Sequence, residues 1–287
     1  MAKPTIANVA ELAGVSQATV SRALRGATNV TEETRIKVQR AADQLNFTLS
    51  KSASALASGK TMRVILLVSG KLNEWFNSGV LQGVYEELAP VGYDVTPAFI
   101  TDRSELDRFF SQLPKSRNAD AIIISSFQLM PAMRDQLQAI DLPTVGVNVP
   151  AESGYFDASI SIDNSSAMTM AVRLLRSLGH TNIAFCSDYI PADMVYNTSQ
   201  RTQAFADAAQ ANATDGITFS LLTADAHDAP LSKSDLASQL TAKLLSLPER
   251  PTAVCVETDQ VAIALVKELR KQQLNVPEDI SVLGFDD

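Results

Sequence analysis

The chain has 287 residues, of which 46% are hydrophobic and 20% charged, enough for about two domains with a substantial core. It contains no apolar run of the roughly 18 residues that a membrane span needs, and no apolar leader follows Met1, so we expect neither a membrane span nor export. Cys186 and Cys255 lie in apolar, strand-like runs, and His180 and His227 lack metal-ligand spacing. We therefore predict reduced thiols in a cytoplasmic protein, with no metal site and no cofactor.

The charge is unevenly distributed along the chain. Residues 1–60 contain eight lysine and arginine residues against four acidic residues, a net charge of +4. Residues 61–287 contain sixteen basic and twenty-eight acidic residues, a net charge of −12. A small basic segment on an acidic body is the electrostatic footprint of a DNA-binding head, although the net charge of the whole chain is −8.

Two short helices separated by one glycine are predicted near the N-terminus. Thr5 can cap the first helix, Gly14 permits the left-handed bend that ends it, and Ser16 can cap the second. The first helix has an apolar face formed by Ile6, Val9, Ala10 and Ala13. The second turns Val20, Ala23 and Leu24 inward and leaves Gln17, Ala18, Ser21, Arg22 and Arg25 outside. This pattern predicts a helix-turn-helix, whose second helix enters the major groove of DNA.

The same segment is similar to the headpiece of the lactose/galactose-repressor (LacI/GalR) family. The resemblance lies in Ala10-x-x-Ala13-Gly14-Val15-Ser16-x-x-Thr19-Val20-Ser21-Arg22, followed by Val30-x-x-x-Thr34-Arg35. It implies that residues 1–48 form the headpiece and that base edges are read by Gln17, Ala18 and Arg22. It implies contacts with the DNA backbone from Ser16, Thr19, Ser21, Asn29, Thr31 and Thr34. The alternatives are a merely solvated face for the first group and plain helix capping by Ser16 and Thr31.

A third helix and a linker are predicted next. Thr31 can cap the helix, and its inward stripe is formed by Thr34, Val38, Ala41, Ala42 and Leu45. Residues 49–61 are rich in small side chains, which is typical of a flexible linker. The resemblance implies instead a hinge helix that forms on DNA, pairs with its copy in a second subunit and pushes Leu56 into the minor groove. Ala53 and Leu56 match the family's hinge, whereas Ser54 and Leu49-Ser50 depart from it.

From Met62 onward, apolar runs alternate with helical stretches. Strands are predicted at 63–68, 93–99, 121–125, 144–147, 183–185, 217–222, 253–256 and 280–283. Helices are predicted at 78–89, 104–113, 132–140, 165–178, 195–211, 234–247 and 260–273. Apolar strands separated by helices indicate parallel sheets buried on both faces. The predicted fold class is therefore α/β: a small all-α headpiece, then two doubly wound parallel-sheet lobes at 62–160 and 161–287, with a cleft between them.

The body is similar to periplasmic sugar-binding proteins, as the LacI/GalR family's body is. The most specific landmark is the segment Val276-Pro277-Glu278-Asp279-Ile280-Ser281-Val282-Leu283-Gly284-Phe285-Asp286-Asp287. Family members continue beyond this point, so we expect the C-terminal lobe to be incomplete. Either a fragment or a truncated natural protein would give this sequence.

Ligand-contacting positions of the family are matched by Asp163, Arg201 and Asp286. Carboxylates and arginine bind sugar hydroxyls, and open α/β sheets bind ligands at the carboxyl ends of their strands. Trp75, the sole tryptophan, could stack on a sugar ring. The candidate effector-binding residues are thus Asp163, Arg201, Asp286, Trp75, Thr258 and Asp259. The alternatives are a structural ion pair between Arg201 and Asp286, helix capping by Asp163 and packing of Trp75 beneath its loop.

The resemblance predicts a cytoplasmic, nucleoid-associated, homodimeric repressor of carbohydrate-utilisation genes, released from double-stranded operator DNA by a sugar or sugar phosphate. The alternatives are a truncated, effector-insensitive DNA-binding module and a family member that responds to a nucleobase or nucleoside. A sugar-transport component would need an export signal and no DNA-binding head. The sequence shows no Ser/His/Asp or Cys/His arrangement, phosphate loop or dinucleotide fingerprint, so an enzyme is not expected.

Overall fold

Three short helices form the N-terminal unit of the protein. The computed structural model describes residues 4–48, 60–116, 118–140, 142–149, 156–189, 196–213, 216–226 and 231–286. Helix α1 runs from Ile6 to Ala13, α2 from Gln17 to Leu24 and α3 from Glu32 to Gln44. The predicted hinge residues Ala53 and Leu56 lie outside the described residues.

Local caps fix the ends of these helices. The Ser16 hydroxyl accepts a hydrogen bond from the backbone amide of Thr19 at 3.1 Å, and Gly14 ends α1 with a φ of +64° that favours glycine. The predicted inward faces are confirmed, because one small core contains Val9, Ala10, Val20, Ala23, Val38, Ala41 and Ala42. The caps and the three apolar stripes together define the helix-turn-helix.

Two parallel sheets form the body within the described residues. The first has the strand order β2-β1-β3-β4-β5, with β1 Arg63–Ser69, β2 Asp94–Ile100, β3 Ala121–Ser125, β4 Thr144–Val147 and β5 Ala158–Ile160. The second has the order β7-β6-β8-β9, with β6 Asn182–Ser187, β7 Thr218–Thr223, β8 Ala253–Val256 and β9 Ser281–Leu283. All the pairings within both sheets are parallel, as predicted.

In the described part of the body, seven helices connect these strands. They are α4 Trp75–Leu88, α5 Arg103–Ser116, α6 Pro131–Ile140, α7 Asn164–Ser177, α8 Asn197–Ala211, α9 Lys233–Leu245 and α10 Asp259–Lys271. All seven were predicted, but α4 begins at Trp75 rather than at residue 78. Within the described residues, no helix is long and apolar enough to cross a membrane.

Helices cover both faces of the second sheet. Alternate residues of β8 point to opposite faces, so Val254 and Val256 pack with α9 and α10 in one core cluster. Ala253 and Cys255 pack with α7 and α8 in another. This is the doubly wound arrangement that the continuous apolar strands predicted.

Strand β5 was not predicted. It has three residues, all exposed, and pairs with β4 at the edge of the first sheet. Ala158-Ser159-Ile160 is too short to show a two-residue periodicity, and no apolar run marks it. Strand β5 exists because it pairs with β4, and no pattern within its own three residues predicts that pairing.

Backbone contacts join the segment after β3 of the first sheet to the start of α8 in the second lobe. Phe127, just past β3, forms an isolated antiparallel bridge with Tyr196, just before α8. The backbone amide of Asn197 donates to the carbonyl oxygen of Ser126 at 3.0 Å. Ligands of open α/β sheets bind beyond the carboxyl ends of the strands, so these contacts define where a ligand cleft would lie.

Candidate functional site

The outer face of α2 carries the predicted base-reading residues. Gln17, Ala18 and Arg22 are all exposed, while Val20 and Ala23 on the opposite face are buried in the headpiece core. The core therefore holds α2 in place and leaves its N-terminal half free to enter a groove. An exposed face of this kind fits the major groove, which is wide enough to admit an α-helix.

Four of the predicted DNA-backbone contacts are paired hydroxyl groups at helix starts. Ser16 and Thr19 share a hydrogen bond of 2.9 Å at the start of α2, and Thr31 and Thr34 share one of 2.8 Å at the start of α3. Each pair also caps its helix, so the capping interpretation is correct for Ser16 and Thr31. Ser16 and Thr31 are exposed, which also allows contact with a phosphate, whereas Thr19 and Thr34 are half-buried. The two remaining predicted contacts are Asn29, which is exposed, and Ser21, which is half-buried.

A row of buried amide side chains crosses between the two sheets. The Asn197 side-chain amide donates to the side-chain oxygen of Asn148, which follows β4 in the first sheet. The Asn164 amide donates to the Asn197 side-chain oxygen at 3.0 Å. Arg201 Nε in turn donates to the Asn164 side-chain oxygen at 3.2 Å. We name Asn148, Asn197, Asn164 and Arg201 the amide relay; it connects the first sheet to a buried arginine.

Arg201, on α8, is buried within the second lobe. Its side chain is 3% exposed, lies 3.7 Å from a carboxylate oxygen of Asp286 and donates to the backbone carbonyl of Glu257. The guanidinium carbon also lies 3.6 Å from the centre of the Phe285 ring, a cation–π contact. Burial lowers the pKa of Arg201, but the nearby carboxylates of Asp286 and Glu257 oppose this shift and keep it charged.

Asp286 joins elements from both lobes. Burial raises the pKa of its carboxyl group, while Arg201 and a hydrogen bond from the Trp75 side chain counteract that effect. The backbone φ of Asp286 is +117°, an unfavourable conformation for any residue other than glycine. A β-carbon at Gly284, two residues earlier, would lie 1.9 Å from a carboxylate oxygen of Asp259, so the Asp259 side chain would have to move to admit one. The structure thus brings together Trp75, Arg201, Asp259 and Asp286.

Two predicted effector residues, Asp163 and Thr258, lie outside this group. Asp163 is exposed and caps α7 by accepting a hydrogen bond from the backbone amide of Ser166 at 3.0 Å, which lowers the pKa of its carboxyl group. The capping interpretation is therefore correct for Asp163. Thr258 is half-buried and precedes α10 without a side-chain capping bond. Trp75 begins α4, is 46% exposed and meets the edge of Phe76 at 5.7 Å.

Glu257 is a buried carboxyl group that the sequence analysis missed. It is 5% exposed and accepts a hydrogen bond of 2.9 Å from the backbone amide of Asp188. Burial raises its pKa to about 7, and the charge of Asp188 adds to this effect. The sequence feature that could have indicated this site is a glutamate directly after an apolar strand. Among the described residues, no group of three or more His, Cys, Asp or Glu side chains is arranged to hold a metal ion.

We expect the Asn197→Ala variant to lose roughly 1–2 kcal/mol of folding free energy, because the change removes the side-chain partner of the Asn148 oxygen and of the Asn164 amide nitrogen. Urea unfolding followed by circular dichroism measures this loss. The control is Asn275→Ala, at an exposed residue, for which the change should stay within about 0.5 kcal/mol. Equal unfolding midpoints for both variants would contradict a stabilising role for the relay.

Comparison with known proteins matches both parts of the chain to family models. Residues 5–50 match the model of bacterial regulatory proteins of the lacI family, and residues 172–287 match the periplasmic binding protein-like domain. The HTH-type transcriptional repressor PurR of Vibrio cholerae serotype O1 (strain M66-2) is 30% identical to this chain over 285 residues. That match covers 98% of this chain and 81% of the relative.

Solved structures show the same architecture. The lac repressor dimer bound to operator and the anti-inducer ONPF matches with a TM-score of 0.81 at 23% identity, over 100% of this chain and 83% of that chain. The complex of the transcriptional regulator CelR with cellobiose matches with a TM-score of 0.61 at 26% identity. This match covers 99% of this chain and 83% of the CelR chain. These matches confirm the predicted fold class, and the relatives are transcriptional regulators. The chain therefore belongs to the lacI family of bacterial regulatory proteins and is a DNA-binding transcriptional repressor.

Proposed function

We propose that the chain represses carbohydrate-utilisation genes as a homodimer bound to operator DNA and is released when a sugar binds between its lobes. One observation supports the DNA-binding part of this proposal: α2 has an exposed face, while its opposite face packs into the headpiece core. The proposed division is a headpiece at 1–48, a hinge at 49–61 and lobes at 62–160 and 161–287. Such a protein acts on nucleoid DNA in the cytoplasm.

In this proposal, α2 reads the operator bases. Gln17 pairs with adenine, Arg22 with guanine, and Ala18 touches a thymine methyl group. Phosphate contacts from Ser16, Thr19, Ser21, Asn29, Thr31 and Thr34 set the register of the headpiece but carry no sequence information. Two headpieces related by a two-fold axis would read the two halves of a near-palindromic operator. Ala53 and Leu56 complete the interface, with Leu56 as the wedge in the minor groove.

The sugar is proposed to bind where the carboxyl ends of the two sheets meet. Asp286 and Arg201 bind its hydroxyl groups, Trp75 covers an apolar ring face, and Thr258 and Asp259 border the second lobe's part of the cleft. Asp163 lies beside Asn164 of the amide relay and completes the set. The match to the cellobiose complex of CelR supports a sugar as effector. Sugar binding and operator binding are then linked, so each weakens the other by the same factor.

Fluorescence anisotropy of the chain on DNA from upstream of its own gene, with and without a panel of sugars, tests this proposal. Tight, palindrome-dependent binding that one sugar reverses would support both halves of it. Tight binding that no sugar affects would support the DNA-reading half and contradict the sugar-responsive half. Binding that is equal on any DNA sequence would contradict base reading by α2.

The Arg22→Ala variant is expected to lose roughly 1–3 kcal/mol of operator-binding free energy and to relax base preference at one position of each half-site. The physical reason is the loss of a bidentate contact to guanine, which discriminates against the other bases. Anisotropy titrations against operators carrying each single-base change measure both effects. Arg250→Ala, at an exposed position of the body, serves as control and should leave the profile unchanged. An unaltered specificity profile for Arg22→Ala would remove the assigned role.

A further inference from the structure

A carboxylate of the first lobe holds the chain at the place where the linker joins the body. One carboxylate oxygen of Asp120, which directly precedes β3, accepts hydrogen bonds from the backbone amide of Thr61 at 2.7 Å and from its hydroxyl group at 2.9 Å. The other oxygen accepts a bond from the backbone amide of Met62 at 3.0 Å. We name Asp120, Thr61 and Met62 the linker clasp. Thr61 and Met62 immediately precede β1, so the clasp lies at the junction between the linker and the first sheet.

The clasp opposes the intrinsic preference of the backbone at this junction. Met62 has a φ of +53°, in the left-handed region that residues other than glycine rarely adopt. Its carbonyl oxygen accepts a hydrogen bond of 2.9 Å from the backbone amide of Asp94, which begins β2. On the other side, the backbone amide of Asp120 donates to the carbonyl oxygen of Arg63 at 2.8 Å. Contacts with the strands on both sides of β1 therefore hold the bend at Met62.

The clasp requires a carboxylate at position 120. Burial raises the pKa of the half-buried Asp120, but hydrogen bonds from Thr61, Met62 and the Tyr93 side chain together hold it below its usual value. The group is therefore ionised at neutral pH, and hydrogen bonds to an ionised acceptor are stronger than those between neutral groups. Asparagine has one accepting oxygen and one donating amide nitrogen, so it cannot accept from the donors on both sides.

The clasp and the proposed sugar site lie at opposite edges of the first sheet. Met62 precedes β1, Asp94 begins β2 and Asp120 precedes β3, and these three strands pair in parallel, so their amino ends share one edge. The proposed cleft lies beyond the carboxyl ends of the strands. The clasp is also distinct from the base-reading face of α2. It therefore belongs to the connection between the headpiece and the body.

We propose that Asp120 is a positioning residue for operator binding: it fixes the point and the direction at which the linker joins the body, and so restricts the spacing of the half-sites that a dimer can bind. The proposal rests on the two-fold operator binding proposed above. Two headpieces attached at fixed points can both reach their half-sites without strain only when the separation matches. Fixed attachment also reduces the conformational entropy that is lost on binding. Asp120 acts here through Thr61 and Met62 and needs no contact with DNA.

Cleavage of the full chain by trypsin tests the clasp in the absence of DNA. Trypsin cuts after lysine, and the nitrogen of the Lys60–Thr61 bond is the amide that donates to Asp120. This bond must leave the clasp before a protease can bind it. We expect Asp120→Asn to be cut there about tenfold faster than the original protein, because at least one hydrogen bond to a charged group is lost. Mass spectrometry of the fragments measures the rate at this bond.

Operator spacing tests the positioning role. The duplex that the full chain binds best is selected from random sequences, and one base pair is then added or removed at its centre, which moves one half-site by about 3.4 Å and turns it by about 35°. We expect Asp120→Asn to bind the selected duplex about tenfold more weakly, and its preference for that duplex over the altered spacings to fall about threefold or more. A variant that was merely less folded would lose affinity for every duplex by the same factor. Thr61→Val, which removes only the hydroxyl donor, is a milder variant that should lower the preference in the same direction.

Asp157→Asn is the matched control for both experiments. Asp157 accepts hydrogen bonds from the backbone amide and the hydroxyl group of Thr144 at the start of β4, so the variant disrupts a similar contact in the same lobe, away from the linker. We expect this control to keep the original rate of cleavage after Lys60 and the original preference for the selected spacing.

Three outcomes would overturn the inference. An unchanged rate of cleavage after Lys60 in Asp120→Asn would contradict the clasp itself. Faster cleavage with an unchanged spacing preference would contradict the positioning role of Asp120. Both of these results would leave the proposed operator binding intact. A selected duplex that contains a single half-site would instead overturn the two-fold operator of the proposed function, and the spacing restriction would fail with it.

Discussion

Replacing Arg201 with methionine is expected to lower the free energy of unfolding by about 3–5 kcal/mol, the usual result of removing one partner of a buried ion pair. Methionine has a similar length and fills much of the same space. However, the change leaves Asp286 without its cation at 3.7 Å and the Asn164 side-chain oxygen and Glu257 carbonyl without their donor. The Phe285 ring also loses its cation–π contact. Urea unfolding monitored by circular dichroism measures the loss.

Two further variants separate this effect from a general loss of charge. Arg173→Met removes an arginine from an exposed position of α7 and should change the free energy of unfolding by less than about 0.5 kcal/mol. Arg201→Met combined with Asp286→Asn should recover roughly 1–2 kcal/mol, because the second change removes the unpaired carboxylate. If the double variant were less stable than Arg201→Met by the full cost of Asp286→Asn alone, the two residues would not be energetically coupled.

The two interpretations of Arg201, contact with a ligand and a structural ion pair with Asp286, do not exclude each other. The ion pair with Asp286 and the hydrogen bond to Asn164 hold the guanidinium in place, and in the proposed site it would be fixed before a ligand arrives. Such preorganisation reduces the conformational entropy that ligand binding would otherwise cost. A residue that contacts a ligand and also connects to Asn148 in the other lobe can report ligand binding across the cleft. We therefore expect Arg201 to act in both stability and effector response.

Most of the secondary structure could be predicted because its signals are local. Ser16 and Thr31 cap their helices where a hydroxyl precedes an apolar stripe, and Gly14 adopts the left-handed conformation that its position indicated. The strands at 63–68 and 253–256 appeared as apolar runs because side chains on both faces of each strand are buried. In each case a few neighbouring residues carry the information.

The features that sequence reasoning missed depend on contacts between distant segments. Asn148, Asn164 and Asn197 are far apart in the chain, and an asparagine usually indicates a turn or a cap, so nothing local marks a buried relay. Trp75 belongs to α4, although the apolar periodicity of that helix starts later. Glu257 follows its strand as an exposed carboxylate would, and only the folded structure shows its burial.

Glu257→Gln is expected to make the protein's stability less dependent on pH, by about 2–3 kcal/mol between pH 5 and pH 8. Burial raises the pKa of Glu257 from 4.5 to about 7, so between these values the folded protein keeps a proton that the unfolded chain has released. The contribution of Glu257 to stability is therefore highest at low pH, falls as the pH rises through this window and levels off above about pH 7. Glutamine stays neutral and can still accept the hydrogen bond from Asp188. Urea unfolding of both proteins at several pH values measures the difference.

Asp157 provides a control in the same experiment, because its pKa is shifted in the opposite direction to that of Glu257. Hydrogen bonds from the amide and hydroxyl of Thr144 lower the pKa of Asp157, so its contribution to stability is present at neutral pH and is lost as the pH falls. Relative to the original protein, Asp157→Asn should therefore be least stable at neutral pH, and Glu257→Gln should gain most there. A parallel pH dependence for Glu257→Gln and the original protein would mean that Glu257 is ionised in the folded state throughout. Its contribution to the free energy of unfolding would then be the same at every pH tested.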